Sequence, residues 1–389
     1  MTARVEISRR RRSFLDLVVA TPTEALSDPH CTEPMLFLIV LTAETLVQPS
    51  FNTDRRSAVI GAAAAATFIT NSGFSASAAT VKGNPVPTAW TLANGVLMPT
   101  LALNTAGMTA AGSERATMEA LDAGIKHVDF HPGIERDGVA KALKAAGKER
   151  ASELFLTTKI KKPPKGTAPA DAAELVFKQI KEDFKALNVN NVDMLMLRDS
   201  PDPAVMQAQW GAMEASLETG LTRSIGVINY CEGSLKTILE TAKTPPALNY
   251  IMQHVGMGKD ALGLRAFGES KGIKTFAYGA VGEPGPSDEL LSSPVLQKIA
   301  KAKNRSVEEV ALRWVLQGGC AVSVRPTLDF GLGVSACGSD ACRDGLMARA
   351  QAFDWSLSAS EMKSLDKLTS PGGNPTLFST SACPNSFFG

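Results

Sequence analysis

Between Leu101 and Arg325, short runs of β-forming residues alternate with longer amphipathic stretches about eight times over. The β-rich runs include Leu154 to Lys159, Val192 to Leu197, Ser224 to Ile228, Thr275 to Tyr278 and Ala321 to Arg325. Between them lie helical patterns such as Asp171 to Leu187, Pro203 to Thr219 and Ser306 to Gln317. Strands that alternate with helices in this way pair in parallel, each helix carrying the chain back to the same end of the sheet. Val192-Asp-Met-Leu-Met-Leu197 is almost continuously apolar, the composition of a strand covered on both faces. No Gly-x-Gly-x-x-Gly follows the first strand, which argues against an open dinucleotide-binding sheet. The expectation is an α/β chain folded as a (β/α)8 TIM barrel.

The N-terminal part differs in kind. Arg9 to Arg12 form a basic run, Met35 to Leu41 a short apolar core, and Asp54-Arg55-Arg56 precedes the alanine-rich stretch Ala58 to Ile69. Ala76-Ser77-Ala78 closes this region. A twin arginine, a moderately apolar core too short to span a bilayer and an Ala-x-Ala exit read as a twin-arginine export signal. With a second apolar segment upstream, the expectation is a targeting leader over 1–78, made of a plastid-type presequence and a twin-arginine-like signal. A helical membrane anchor or a disordered tail would produce part of the same pattern. Met35 opens a cleaner signal than Met1, so either methionine suits as the start. Cleavage after Ala78 would leave 389 minus 78, or 311, residues over 79–389, a length that suits one barrel. The destination would be the thylakoid lumen, and the remaining chain would have no transmembrane helix.

Charge excludes some functions. Forty Lys and Arg against 39 Asp and Glu leave a net charge of +1, too little for a nucleic-acid partner. Four histidines and six cysteines show no zinc-type spacing, so no metal site is expected. Cys337 and Cys342 flank four residues, and an oxidising lumen would permit a bridge between them, or from either to Cys383. Cys231 and Cys320 read as buried core residues.

The segment Gly124-Ile-Lys-His-Val-Asp-Phe-His-Pro-Gly-Ile134 resembles the signature of the aldo-keto reductase family. Leu92-Ala-Asn-Gly-Val-Leu-Met-Pro99 is similar to that family's opening β-hairpin. Phe155-Leu-Thr-Thr-Lys159, Ile225-Gly-Val-Ile-Asn-Tyr230 and Ala311-Leu-Arg-Trp-Val-Leu-Gln317 follow in family order. The resemblance implies hydride transfer between NADP(H) and a carbonyl. A tyrosine supplies the proton, an aspartate and a lysine tune it, and a histidine orients the substrate. Asp129 and Lys159 stand at the aspartate and lysine positions. Ile134 stands where the tyrosine belongs and Arg198 where the histidine belongs. Isoleucine has no exchangeable proton, so acid assistance of about 10² to 10⁴-fold is lost, and arginine does not act as an acid near neutral pH. Asp129 and Lys159 then read as an ion pair kept because removing one would strand the other. His131, two residues past Asp129, is a weak surrogate acid that reads first as a solvated or packing residue.

By the same resemblance, Asn229 matches the asparagine that holds the nicotinamide carboxamide and Tyr278 the tyrosine on which the ring stacks, unless Tyr278 is simply core. Beside them Ile228 replaces a serine, Tyr250 a glutamine, and Gly279 the residue after the stacking tyrosine. The segment that grips the 2'-phosphate reads Val324-Arg-Pro-Thr327. Pro326 takes the lysine's place there, with Arg325 one residue away and Thr327 as a remaining contact. Gly331 to Cys342 reads as a flexible loop, without the ending of a phosphate-binding P-loop. Tight NADP(H) binding is therefore doubtful. The expected function is a catalytically impaired barrel serving as a lumenal scaffold or accessory protein of a thylakoid membrane complex. One alternative is an atypical NADPH-dependent carbonyl or aldehyde reductase. A second is a binder of anionic small molecules, using Arg198 and Lys159.

Overall fold

The computed structural model describes residues 86–200, 202–260, 263–282, 287–327 and 340–368. The leader expected over 1–78, together with Cys337 and Cys383, lies outside these residues. All of them belong to the unit Ala76–Gly389.

The chain opens with an antiparallel hairpin, β1 (Ala89–Thr91) and β2 (Leu97–Pro99), in which Trp90 pairs with Met98. Gly95 makes its turn at φ 82°, where a side chain would be strained. The hairpin thus starts three residues earlier than the Leu92–Pro99 motif suggested. Then follow β3 (Leu101–Asn104), α1 (Ala110–Asp122), β4 (His127–Asp129), α2 (Ile134–Ala151), β5 (Phe155–Ile160), α3 (Pro169–Leu187), β6 (Val192–Arg198) and α4 (Pro203–Glu218). The second half comprises β7 (Thr222–Ile228), α5 (Glu232–Leu239), β8 (Leu248–Met252), α6 (Leu264–Ser270), β9 (Lys274–Tyr278), α7 (Ser287–Leu291), α8 (Pro294–Lys303) and α9 (Val307–Gln317). It ends with β10 (Ala321–Val324), α10 (Asp340–Ala350) and α11 (Ala359–Asp366). Strands β3 to β10 close into a barrel in sequence order, with β10 hydrogen-bonded to β3, and every neighbouring pair is parallel. The expected (β/α)8 architecture is present.

Local sequence sets the helix starts. Asp202 accepts from the N–H groups of Ala204 and Val205 at the head of α4, with Pro203 in the first turn. Ser306 and Glu309 form a capping box at the head of α9, so two otherwise orphaned N–H groups are satisfied by side chains. Gly138 of α2 lies so close to α1 that a Cβ there would collide with Ala110 O and come within 2.6 Å of Ser113 Cβ. Asp340 to Cys342, read from sequence as loop, are the first residues of α10.

Alternation along each strand sorts the core into two. Outward residues such as Val128, Leu195, Leu197, Ile225 and Val322 pack against the helices. Inward residues fill the bore: Leu92 and Met98 of the hairpin plug its lower end against Phe155, Leu248 and Ala321, with Met194, Met196 and Phe276 above them. Burial of side chains this size contributes roughly 1.5 to 3 kcal/mol each. His127 sits in this bore, its Nδ1 2.9 Å from Pro99 O and its Nε2 2.7 Å from Thr157 Oγ1. The ring stacks on Phe276. Burial lowers its pKa to about 4.

Among the described residues no helix is long and apolar enough to cross a membrane, and no group of three or more His, Cys, Asp or Glu side chains is placed to hold a metal. Cys320 is a buried free thiol, as its apolar setting suggested. Cys231, by contrast, is half-buried and disulfide-bonded; the buried Cys342 is disulfide-bonded as well. The reading of Cys231 as core is corrected; an apolar neighbourhood in sequence did not distinguish a core thiol from one at a strand-to-helix junction.

Candidate active site

The C-terminal ends of the barrel strands converge where this architecture places its chemistry. Asp129, the last residue of β4, and Lys159 of β5 have no exposed side-chain surface and form an ion pair. Lys159 also donates to Phe130 O at 3.1 Å. The other carboxylate oxygen of Asp129 accepts from Tyr250 Oη at 2.8 Å and from Ser323 Oγ at 2.8 Å. Tyr250 Oη in turn accepts from Asn104 Nδ2 at 3.2 Å. The Lys159 ammonium lies 5.5 Å from the centre of the Tyr250 ring. Burial pulls the Lys159 pKa down, against the pull of Asp129 in the other direction. Burial, helped by the Asp129 charge, pushes the Tyr250 hydroxyl well above its ordinary value.

Tyr250, which sequence comparison sets at a cofactor-binding glutamine, is thus a bore residue bonded to Asp129, a role its position in the motif did not reveal. Nor is its hydroxyl free to act as an acid. It is 3% exposed, and its proton is committed to a carboxylate. The remaining two tyrosines are committed as well. Tyr278 donates to Asn229 Oδ1 at 2.8 Å, and burial pushes its pKa up to about 12. Tyr230 makes a long bond of 3.4 Å to Arg198 O, while Asn249 clamps its backbone N–H and C=O.

The upper surface is assembled differently. Ile134, the first residue of α2, is 62% exposed. Arg198 ends β6, half-buried, and its guanidinium has no hydrogen bond or ion pair among the described residues. Its charge is felt by both Lys159 and Tyr278. His131, read as a solvated or packing residue, has a defined partner instead. Its Nδ1 lies 3.0 Å from Glu135 Oε2, and its backbone N–H donates to the same oxygen at 3.0 Å. Glu135 also accepts from Gly107 N at 2.8 Å and Thr105 Oγ1 at 3.1 Å. Despite burial, the hydrogen bond and charge of His131 and the bond from Gly107 hold its carboxyl below the usual range. Burial and the nearby Lys159 lower the His131 pKa, while Glu135 opposes them. Sequence reasoning passed over Glu135, although four-residue spacing at a helix start was the available clue.

The cofactor-related positions are partly assembled. Asn229 directly follows β7, in the left-handed region at φ 59°, beside the half-buried Tyr278, and Gly279 follows that tyrosine at φ 68°. Ile228 is buried in the bore rather than presenting a polar group. Arg325 and Thr327 are half-buried and Pro326 is buried. A Cβ on Gly107 would lie 3.9 Å from the Arg325 guanidinium, so Arg325, not Pro326, brings charge to the rim there.

A model of the aldo/keto reductase family matches residues 98–370. The chain belongs to that family. NADPH-dependent codeinone reductase 1-4 of Papaver somniferum is 27% identical over 317 residues, which are 74% of this chain and 91% of the relative. D-galacturonate reductase of Fragaria ananassa is 31% identical over 252 residues, 58% of this chain and 76% of the relative. Among solved structures, an aldo/keto reductase from Brucella melitensis superposes with a TM-score of 0.62 at 26% identity, covering 73% of this chain and 98% of its own. The family's usual cofactor meets a mixed set of residues. Tyr278 and Asn229 fit the nicotinamide end, a ring face beside an amide, while the stretch after Thr327 that would meet the phosphate end lies outside the described residues.

Proposed function

We propose that this barrel is an aldo/keto reductase relative impaired in tyrosine-driven carbonyl reduction, kept as an accessory or scaffold protein in the thylakoid lumen. One observation carries the impairment: the acid position is the solvent-exposed Ile134, and all three tyrosines of the chain donate their protons elsewhere. A developing alkoxide at the barrel mouth therefore meets no phenol. The lumenal role rests on the leader motifs of the sequence and on a family barrel without its family acid.

The decisive measurement is NADPH-dependent reduction of a small aldehyde panel by the chain from Ala79 onward. The expected result is a rate about 10² to 10⁴-fold below acid-assisted turnover. A kcat in the usual enzymatic range of about 1 to 10³ per second would overturn the impairment. The accessory role is tested by co-purification with a thylakoid membrane complex through moderate salt. Recovery only as a free stromal protein would remove it. A second reading, an anionic ligand at the mouth, is favoured by the Arg198 guanidinium, which has no ion pair among the described residues.

A further inference from the structure

The His131–Glu135 pair lies outside the family's acid, lysine, aspartate and histidine positions, yet it has the build of a proton-transfer device. A carboxylate only accepts hydrogen bonds. The 3.0 Å contact from His131 Nδ1 to Glu135 Oε2 therefore puts the proton of the neutral ring on Nδ1 and leaves the lone pair on Nε2. Glu135 is itself fixed by Gly107, Thr105 and the backbone of His131, which pins the carboxylate and hence the ring. Nε2 has no hydrogen-bond partner among the described residues, and a quarter of the side chain is exposed. His127, four residues earlier, uses both ring nitrogens inside the bore. His131 uses one and keeps the other open at the mouth.

We propose that His131, positioned by Glu135, is the proton acceptor of this barrel mouth, and that its substrates are small anionic alcohols whose acidic group pairs with Arg198. With an oxidised nicotinamide as hydride acceptor, the step balances. The C–H hydride leaves for the cofactor, the O–H proton goes to Nε2, and the products are the carbonyl compound, the reduced cofactor and an imidazolium. Burial favours the neutral ring, and the charged neighbours divide. Lys159 on β5 opposes protonation of the ring, while Glu135 on α2 and Asp129 on β4 support it, and burial tips the balance toward the neutral form. A neutral ring at neutral pH is ready to take a proton and poorly stocked to give one. The ring is thus held in the form that accepts the alcohol proton, and by microscopic reversibility the imidazolium it becomes is the acid of the reverse step.

The first test needs no turnover. Nitrogen-15 NMR of the imidazoles in the chain from Ala79 onward should show His131 as a single Nδ1–H tautomer titrating below its ordinary range. Glu135→Gln should lower that titration further, because the carboxylate raises it, and Glu135→Asp should restore part of the shift. A ring in the Nε2–H tautomer, or one indifferent to Glu135→Gln, would overturn the proposal. The second test is reduction of NADP+ with glycerate, against glycerol as the uncharged control. Glycerate should be the better substrate, with an acid limb in the pH profile that follows the NMR titration. His131→Asn should cut kcat by at least about 10²-fold with an unchanged NADP+ affinity by fluorescence. Equal rates with His131→Asn, or no oxidation of glycerate by the wild-type chain, would sink it. Failure here leaves the aldehyde assay above untouched, and ordinary aldehyde reduction would refute the impairment without altering the tautomer result.

Discussion

In the bore of the barrel, polar groups are closed off. Asp129 has bonds to Lys159, Tyr250 and Ser323, and both nitrogens of His127 are engaged. A few residues further along the same stretch of chain, at the mouth, His131 keeps one nitrogen without a partner among the described residues and Ile134 faces solvent, while Arg198 at the end of β6 has no ion pair among those residues. The two regions have different constraints. A charge without water or a partner costs several kcal/mol, so a buried pair resists change at either member. A residue at the mouth has water to fall back on, and its substitution costs folding little. A closed Asp129–Lys159 pair below an exposed Ile134 is what this difference produces on folding grounds alone.

The largest test breaks the bore. Lys159→Met should destabilise the fold by about 3 to 5 kcal/mol, since it leaves the buried Asp129 carboxylate without its cation. Adding Asp129→Leu should recover much of that loss, because the uncompensated charge then disappears as well. Urea unfolding of both variants measures it. A Lys159→Met loss below about 1 kcal/mol would show that water reaches this pair, and the contrast with the mouth would fail.

A second test uses acid. His127 and His254 are buried, and burial lowers both from the ordinary histidine value of 6.5 to about 4. Between these values the unfolded chain binds a proton at each ring and the folded chain does not. Their stability contribution is therefore complete above the unfolded value and declines as pH falls toward the folded one. Each histidine adds a slope of about 1.4 kcal/mol per pH unit in that window, together about 2.7. Unfolding free energies measured from pH 7 to 4.5 should show this decline, and His127→Phe should remove about half of the slope whatever it does to the absolute value. An unchanged slope in that variant would mean that His127 titrates normally and that the bore is wet.

The sequence disclosed the barrel well and the site unevenly, for physical reasons. Parallel strands such as β6 carry their burial in their composition, so alternation with helices predicted about eight units and located β5, β6, β7, β9 and β10 without any contact information. Asp129 and Lys159 were legible because a motif fixes their spacing. Tyr250 was not, because its meaning depends on a hydroxyl that meets Asp129 across the bore from a strand 121 positions away. The disulfide at Cys231 was hidden for a similar reason, since bridging is decided by distance in space. Glu135 lay between these cases. Its four-residue spacing from His131 was visible, but only the turn of chain through Pro132 and Gly133 into α2 brings carboxylate and imidazole to 3.0 Å.

The smallest expected effect lies at Ile134. Its side chain is 62% exposed and starts a helix whose first turn carries Glu135 and Asp137, so Ile134→Ala should shift unfolding by no more than about 0.5 kcal/mol. Ile134→Tyr should be equally neutral for stability, because an exposed ring at this position displaces nothing buried. The pair of variants separates two accounts of the missing phenol. If isoleucine were held there by packing, alanine would cost a core-like 2 kcal/mol or more, and the open mouth would in truth be an extension of the bore. If the mouth is unconstrained by folding, both variants unfold with the wild type while Lys159→Met does not. The isoleucine is then a residue the fold tolerates and does not require.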